Sequence, residues 1–207
     1  MSETPLQFAH GDDAVEIWRA DFYGLLARLW IAPPDAELMQ RLHAALPAAE
    51  AGATLAAPWQ ELLDAMKTSS VASMTEEFDA LFQGVGKPEV FPYGSYYLSG
   101  FLNERPLVHL RRDLDQLGLA RDDARAETED HVAFVFEVMR YLIAGDDAAV
   151  CNLESQRRFF RAHVQTWVES FCEAVAAHPG ARAYRAVAGL TRAFVQVEAQ
   201  GFDMLET

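Results

Sequence analysis

The residues with the greatest capacity for chemistry lie in two stretches near the middle of the chain. One holds Ser95 within Tyr-Gly-Ser-Tyr-Tyr, and the other holds the adjacent pair Asp130 and His131. Serine, histidine and an acid are the residue types of nucleophilic catalysis. However, Ser95 does not lie in Gly-x-Ser-x-Gly, and no predicted strand precedes it. Neighbours on a helix also point about 100° apart, so Asp130 and His131 do not form a dyad by themselves. We therefore predict no catalytic residues and no enzymatic activity.

The sequence predicts neither a metal site nor a bound cofactor. The 6 histidines are scattered, without His-Glu-x-x-His and without an i, i+4 pair. Cys151 and Cys172 form no Cys-x-x-Cys motif, so we expect two free thiols. The stretch Gly84-Val85-Gly86-Lys87 lacks the spacing of a phosphate-binding loop and the strand that precedes one.

The composition favours a folded, acidic protein. The chain has 207 residues, of which 51% are hydrophobic and 23% charged, and its net charge is −14. Such a charge argues against nucleic-acid binding, which needs a surplus of Lys and Arg. It is typical either of a surface that serves solubility or of one that meets a basic partner.

Targeting signals are not apparent. The start Met-Ser-Glu-Thr-Pro has no basic region followed by an apolar run. No later stretch reaches about 18 uncharged apolar residues, the length that a membrane-spanning helix needs. We therefore expect a cytoplasmic protein with no integral membrane segment.

Apolar residues recur at helical spacing through most of the chain, and no alternating run indicates a sheet. The pattern predicts an all-α, bundle-like protein of about eight or more helices, forming a single domain over residues 1–207 behind a flexible tail of about residues 1–11. Predicted boundaries include a cap at Asp13, a helix begun near Asp35, and a capping box at Ser73 and Glu76.

The second half of the chain carries further boundary predictions. The fourth helix should end at Gly84, Asn103 should cap a helix that closes at Gly118, and a helix should run from about Glu129 to Ala144. In the first turn of that helix, Asp130 would accept free backbone N–H groups. Two long helices should follow, with a break at Pro179-Gly180. The first is predicted from a stripe of Phe160, Val164, Trp167, Phe171 and Val175.

A long loop between Gly84 and Asn103 interrupts the helical pattern. It carries too many large apolar groups for a disordered segment, so we expect it to fold against the helices as the functional loop. At least half of its aromatic set should be buried, the set being Phe82, Phe91, Tyr93, Tyr96 and Tyr97. A tyrosine pairs an apolar ring with a polar tip, which suits a groove for a peptide.

In order and spacing, these motifs resemble the TorD family of redox enzyme maturation chaperones for molybdoenzymes of the dimethyl sulfoxide reductase type. The matching residues are Leu81, Phe82, Gly84, Pro92, Tyr93, Gly94, Ser95, Tyr97, Leu98, Pro106, Asp130 and His131. The family commonly has Glu-Pro-x-Asp-His, and here Thr128 replaces the proline. Because proline would stiffen the turn, its absence leaves the geometry of this turn open.

The resemblance implies a chaperone that binds a molybdoenzyme catalytic subunit and its basic twin-arginine leader, and that delays export until the molybdenum cofactor is inserted. It implies client contacts at Leu81, Phe82, Tyr93, Ser95, Tyr97, Asp130 and His131, with Asp130 facing a basic group. A client without such a leader is an alternative, as is a helical enzyme or small-molecule-binding protein that uses the same pocket. The protein could be a monomer or a domain-swapped dimer.

Overall fold

A computed structural model describes residues 12–45, 52–84, 87–120 and 126–204. Over these residues the chain is helical without a strand, which confirms the predicted all-α class. The predicted flexible tail at residues 1–11 lies outside the described residues. The helices are α1 Asp12–Ile31, α2 Ala36–Ala44, α3 Gly52–Lys67, α4 Val71–Phe78, α5 Gly94–Ser99, α6 Arg105–Gln116, α7 Val132–Ala144, α8 Leu153–His163, α9 Val168–Ala177 and α10 Ala183–Met204.

The chain divides into two compact units. The first contains residues Ala32–Val90 and Cys172–Thr207, and the second contains His10–Ile31 and Phe91–Phe171. The first therefore holds α2 to α4 and α10, and the second holds α1 and α5 to α8. The chain passes from one unit to the other between α1 and α2, again inside the long loop, and again within α9. A single domain over residues 1–207 stays a prediction.

In the first unit, α10 packs along α3 and is anchored to α4 by the buried side chain of Glu77. The Glu77 carboxylate accepts backbone N–H groups of Arg182, Ala183 and Tyr184, at 2.7, 3.1 and 2.8 Å. The first N–H groups of a helix have no partner within the helix. A distant acid thus caps α10 and faces the positive end of its dipole.

The end of α4 explains how the long loop begins. A π-helical turn, Asp79–Gln83, continues α4 and ends at Gly84, as predicted. Gly84 has φ +50°, and a Cβ there would lie 2.1 Å from the carbonyl oxygen of Lys87. The Leu81 carbonyl accepts the N–H groups of Glu89 and Val90, at 3.1 and 2.9 Å. The returning chain is therefore held against the π-helical turn.

In the second unit, α1 packs along α7. The ring of Tyr23 meets Phe136 edge to face, with centroids 5.6 Å apart. Gln156 of α8 donates to the Leu142 carbonyl of α7 and accepts from Arg19 of α1, at 3.2 and 3.0 Å. These buried bonds fix α8 on the pair formed by α1 and α7.

Several predicted boundaries are confirmed and others are wrong. Asp35 caps α2, since its side chain accepts the Leu38 N–H at 2.7 Å, and α9 and α10 are separated around Pro179-Gly180. The capping box of α4 is formed by Ser70 and Ser73 instead of Ser73 and Glu76. The predicted cap at Asp13 rests on a side chain outside the described ones.

Three further boundary predictions are wrong. The long loop contains the short helix α5. Asn103 does not cap α6: it has φ +59° and its N–H donates to the Ser95 hydroxyl at 3.2 Å. The predicted long helix is divided into α8 and α9, because the Trp167 indole N–H donates to the His163 carbonyl at the end of α8, at 2.7 Å.

Candidate functional site

The two stretches that carry the sequence motifs lie side by side in the second unit. Tyr93 and His131 form an isolated antiparallel bridge. In it, the Gly94 N–H donates to the Asp130 carbonyl and the Val132 N–H donates to the Pro92 carbonyl, each at 2.9 Å. The start of α5 is therefore tied to the start of α7, and the two motifs form one local structure.

Asp130 is 4% exposed and links these helices through its side chain. Its carboxylate accepts the Ser95 N–H at 2.8 Å and the Thr128 hydroxyl at 2.6 Å. Asp130 therefore caps α5 and not its own helix α7, which corrects the predicted capping role. Thr128, at the usual proline position of the family, supplies the second bond to the carboxylate.

His131 is the residue that caps α7. Its Nδ1 accepts the Ala133 N–H at 3.2 Å, so Nδ1 carries no proton in this arrangement. Burial lowers the pKa of His131 to about 4, against an opposing effect of Asp130. The ring lies between Tyr93 and Phe134, with centroids 5.2 and 5.8 Å away. His131 is therefore neutral near neutral pH and acts as a packed hydrogen-bond acceptor.

Tyr93 and Tyr97 keep part of their surface accessible. The Tyr93 hydroxyl donates to the Glu127 carboxylate, and burial, followed by that bond, raises the pKa of Tyr93 above its usual range. The Tyr97 ring stacks on Trp167, with centroids 5.9 Å apart and an interplanar angle of 19°. Both residues are half-buried, so each keeps part of its surface accessible while its contacts hold the ring in place.

Gly94 allows this packing. A Cβ on Gly94 would lie 3.0 Å from atoms of the Trp167 indole. The adjacent Ser95 is 1% exposed, and its hydroxyl accepts the Asn103 N–H. Glycine and a small serine at these positions therefore serve the close approach of α5 to Trp167, and Ser95 is not presented as a nucleophile.

Five of the seven predicted client residues are brought together in the second unit: Tyr93, Ser95, Tyr97, Asp130 and His131. Leu81 and Phe82 lie in the first unit and are 1% and 7% exposed. Phe82 packs against Phe78 and Tyr184, with centroids 5.1 and 5.4 Å away. These two side chains belong to the core of the first unit.

The loop aromatics are more exposed than predicted. Of the five named, Phe82 alone is buried, while Phe91, Tyr93 and Tyr97 are half-buried and Tyr96 is 37% exposed. The prediction that at least half are buried is therefore wrong. Within α5 the buried residues are Gly94 and Ser95, so Tyr96 and Tyr97 lie nearer the surface. The exposed apolar surface continues over Leu98, Phe101 and Leu102.

Sequence reasoning missed the partners that hold this site. The spacing of Trp167 predicts a helical stripe, and nothing in it indicates the contacts with Tyr97 and Gly94. In the sequence, Thr128 is only a departure from the family pattern. The Glu129 carboxylate accepts hydrogen bonds from Nε and Nη2 of Arg111, each at 2.9 Å. This ion pair neutralises part of the acidic stretch Glu127-Thr128-Glu129-Asp130. The small size of Gly94 was the one available signal of a close approach.

Within the described residues, no group of three or more His, Cys, Asp or Glu side chains is arranged to hold a metal ion. Over the same part of the chain, no helix is long and apolar enough to cross a membrane.

Comparison with known proteins places these motifs in a wider group. Residues 48–173 match the family described as nitrate reductase delta subunit. The chain is 24% identical over 204 residues to the chaperone protein TorD of Vibrio cholerae strain O395, covering 90% of this chain and 93% of that protein. It is 28% identical over 121 residues to a probable Tat proofreading chaperone DmsD of Haemophilus influenzae, covering 58% and 57%.

A solved structure shares the fold. The putative redox enzyme maturation protein from Archaeoglobus fulgidus superposes with a TM-score of 0.57 at 17% sequence identity. The match covers 94% of this chain and 99% of that protein. At this identity, the likeness concerns the arrangement of helices.

Proposed function

This chain belongs to the nitrate reductase delta subunit family, which includes the TorD-like chaperones, and we propose that it is a maturation chaperone for a molybdoenzyme catalytic subunit. Members of this group are chaperones and not enzymes. In this proposal the protein works in the cytoplasm and binds the apo subunit together with its basic leader. It releases the subunit for export once the molybdenum cofactor is in place.

The observation that carries the proposal is the coupling of the two motifs through Asp130. One buried carboxylate fixes the start of α5 beside the start of α7. The half-buried rings of Tyr93 and Tyr97 then stand at defined positions on the surface. A fixed aromatic surface binds a peptide at a lower entropic cost than mobile side chains would.

The seven predicted residues have three roles in this proposal. Tyr93 and Tyr97 contact the client through their accessible faces. Ser95, Asp130 and His131 are positioning residues, because their side chains are buried. The Asp130 carboxylate accepts the Ser95 N–H, the Ser95 hydroxyl accepts the Asn103 N–H, and the His131 ring accepts the Ala133 N–H. Leu81 and Phe82 support the π-helical turn from which the loop departs, through the Leu81 carbonyl and the Phe82 ring.

The charge of the chain supports a basic client. The net charge of −14 attracts a leader with paired arginines over several ångströms and raises the rate of encounter. Glu127 lies at the site itself, where its carboxylate accepts the Tyr93 hydroxyl. A guanidinium of the client can share this carboxylate, which has room for more than one donor.

A complementation experiment tests the proposal. A host strain that lacks this gene should accumulate its molybdoenzyme in an inactive form without cofactor, and the wild-type gene should restore both activity and cofactor content. Tyr97→Ala should restore little activity, whereas Tyr97→Phe, which keeps the stacked ring, should restore most of it. Thermal unfolding of both variants separates a lost contact from a lost fold. Full molybdoenzyme activity in the deletion strain would refute the proposal.

A further inference from the structure

A series of contacts connects α6 with the accessible ring of Tyr97, and all of it lies in the second unit. Asp113 of α6 binds the ring of His163, the last residue of α8. The His163 carbonyl accepts the indole N–H of Trp167. The Trp167 ring in turn stacks on Tyr97, with centroids 5.9 Å apart. Three of these four residues lie outside the two sequence motifs, so the position of Tyr97 depends on residues that the motifs do not include.

The indole bond fixes Trp167 relative to the end of α8. Trp167 belongs to the turn of residues 164–167 that separates α8 from α9. The last carbonyl groups of a helix have no partner within the helix, and the indole N–H donates to one of them, the His163 carbonyl, at 2.7 Å. Trp167 is 2% exposed, so without this acceptor its N–H would be buried and unsatisfied, which is unfavourable. The indole therefore follows the end of α8.

The end of α8 is itself held to α6 by the His163 side chain. Nε2 of His163 lies 2.7 Å from a carboxylate oxygen of Asp113. A carboxylate can only accept a hydrogen bond, so Nε2 carries the proton and donates it. Burial lowers the pKa of His163, although the bond to Asp113 opposes this effect. Near neutral pH the ring is therefore a neutral donor, and what it needs from residue 113 is an acceptor.

Tight packing transmits a shift of Trp167 to the aromatic loop. His163 and Trp167 line a gap of about 10 Å³ together with Gly94, Ser95 and Asp130, which is roughly the space that one water molecule needs. A Cβ on Gly94 would lie 3.0 Å from atoms of the indole. Because so little space is free, a displaced indole cannot be absorbed locally and moves its neighbours.

We propose that Asp113 and His163 are positioning residues for client binding, because they hold Trp167 in place and Trp167 holds the Tyr97 ring that the client contacts. The proposal rests on the proposed function, since it takes the accessible part of Tyr97 as a client contact. Loss of the bond between Asp113 and His163 releases the end of α8, shifts the indole and misplaces the Tyr97 ring, although Tyr97 itself is unchanged.

Matched variants test the positioning role through peptide affinity. Asp113→Ala removes the acceptor of the His163 ring, whereas Asp113→Asn keeps an acceptor for the neutral ring. His163→Leu removes the donor from the other side. Asp115→Ala is the control, because it removes the same charge from an exposed position of the same helix. Fluorescence anisotropy gives the affinity for a fluorescent synthetic peptide with paired arginines followed by a Leu/Ala run, under conditions in which circular dichroism shows every variant to be folded.

Fluorine-19 NMR reports the position of Trp167 directly. Protein that contains 5-fluorotryptophan gives one resonance for each of its 4 tryptophans, and Trp167→Phe assigns the resonance of Trp167. Trp59, in α3 of the first unit, is the internal reference. Addition of the peptide to wild type should shift the Trp167 resonance, because Tyr97 is stacked on that ring, and should leave the Trp59 resonance unchanged.

Asp113→Ala and His163→Leu should each bind the peptide at least about fivefold more weakly than wild type, the effect of losing one hydrogen bond. The double variant should bind no more weakly than either single variant, because both remove the same bond. In the absence of peptide, Asp113→Ala should already shift the Trp167 resonance. Asp113→Asn and Asp115→Ala should match wild type in affinity and in spectrum.

A purely structural bond would lower the melting temperature of Asp113→Ala but leave the affinity of the folded protein and the Trp167 resonance unchanged. That result, with binding lost in Tyr97→Ala, would overturn the positioning role alone. Equal losses of affinity in Asp113→Ala and Asp115→Ala would also overturn it, since they would indicate an effect of charge. Failure of wild type to bind the peptide would overturn the proposed function as well.

Discussion

His131 should make the stability of the protein depend on pH in a defined window. The ordinary pKa of histidine is about 6.5, and burial lowers the pKa of His131 to about 4 in the folded state. Above about pH 6.5 neither state binds the proton, so this residue does not change stability there. As the pH falls below that value, the unfolded chain takes up the proton first, and the folded state loses stability.

The magnitude follows from the two pKa values. Between about pH 7 and about pH 4.5, His131 alone should lower the free energy of unfolding by roughly 2.5 kcal/mol. Urea titrations followed by circular dichroism measure this free energy at each pH. His131→Asn is the informative variant, because asparagine also accepts an N–H group at a helix start and does not titrate.

Wild type should therefore lose about 2.5 kcal/mol more than His131→Asn over this window. Burial also lowers the pKa of His163, despite its bond to Asp113, but this contribution is common to both proteins and cancels in their difference. Parallel pH profiles of wild type and His131→Asn would refute the assignment of a buried neutral histidine.

Three further substitutions test the contacts that hold each unit. Glu77→Gln should lower the free energy of unfolding, measured by urea titration, by about 2 kcal/mol, because the buried carboxylate accepts three N–H groups. The control Glu76→Gln, at an exposed position, should change this free energy by less than about 0.5 kcal/mol. Equal effects of the two substitutions would contradict the capping of α10. Gly94→Ala should lower the free energy of unfolding by about 1–3 kcal/mol, because the added methyl group would crowd the Trp167 ring. An unchanged melting temperature would contradict this packing. Asp130→Asn keeps an acceptor for the Ser95 N–H but loses the charge, which weakens both bonds of the buried carboxylate. Thermal stability and the affinity for a fluorescent peptide with paired arginines, measured by anisotropy, should therefore fall together; a loss of affinity at unchanged stability would contradict the positioning role.

Most of the fold could be predicted because apolar periodicity is a local property. The stripes of α1, α7 and α10 each bury one face against a neighbour, and their spacing is visible in the sequence. The break between α8 and α9 was not visible, because Val164 and Trp167 keep helical spacing across it. In the structure, the Trp167 indole N–H binds the His163 carbonyl at the end of α8.

Helix starts were predictable where the cap is adjacent in sequence, as at Asp35. They were not predictable where the partner is remote. The start of α10 depends on Glu77, more than 100 positions earlier, and the start of α5 depends on Asp130, 35 positions later. A helix of only six residues such as α5 also shows too few turns for a period to appear.

The site residues could be predicted by type but their roles could not. The sequence indicated that Asp130 and His131 matter together. It left two roles open: Asp130 as a cap of its helix, or Asp130 facing a basic group of a client while His131 supplies a hydrogen bond. The histidine is the cap of α7, and the acid reaches across to Ser95. These roles depend on which backbone N–H groups lie nearby, and that is decided by the pairing of the two stretches.

Affinity purification of the tagged chain from its host, grown with its molybdoenzyme expressed, tests the central claim most directly. Mass spectrometry of the bound fraction should identify the catalytic subunit in its cofactor-free form, and its amount should fall with Tyr97→Ala and remain with Tyr97→Phe. Absence of any molybdoenzyme subunit from the bound fraction, while the same subunit is abundant in the extract, would contradict the chaperone account.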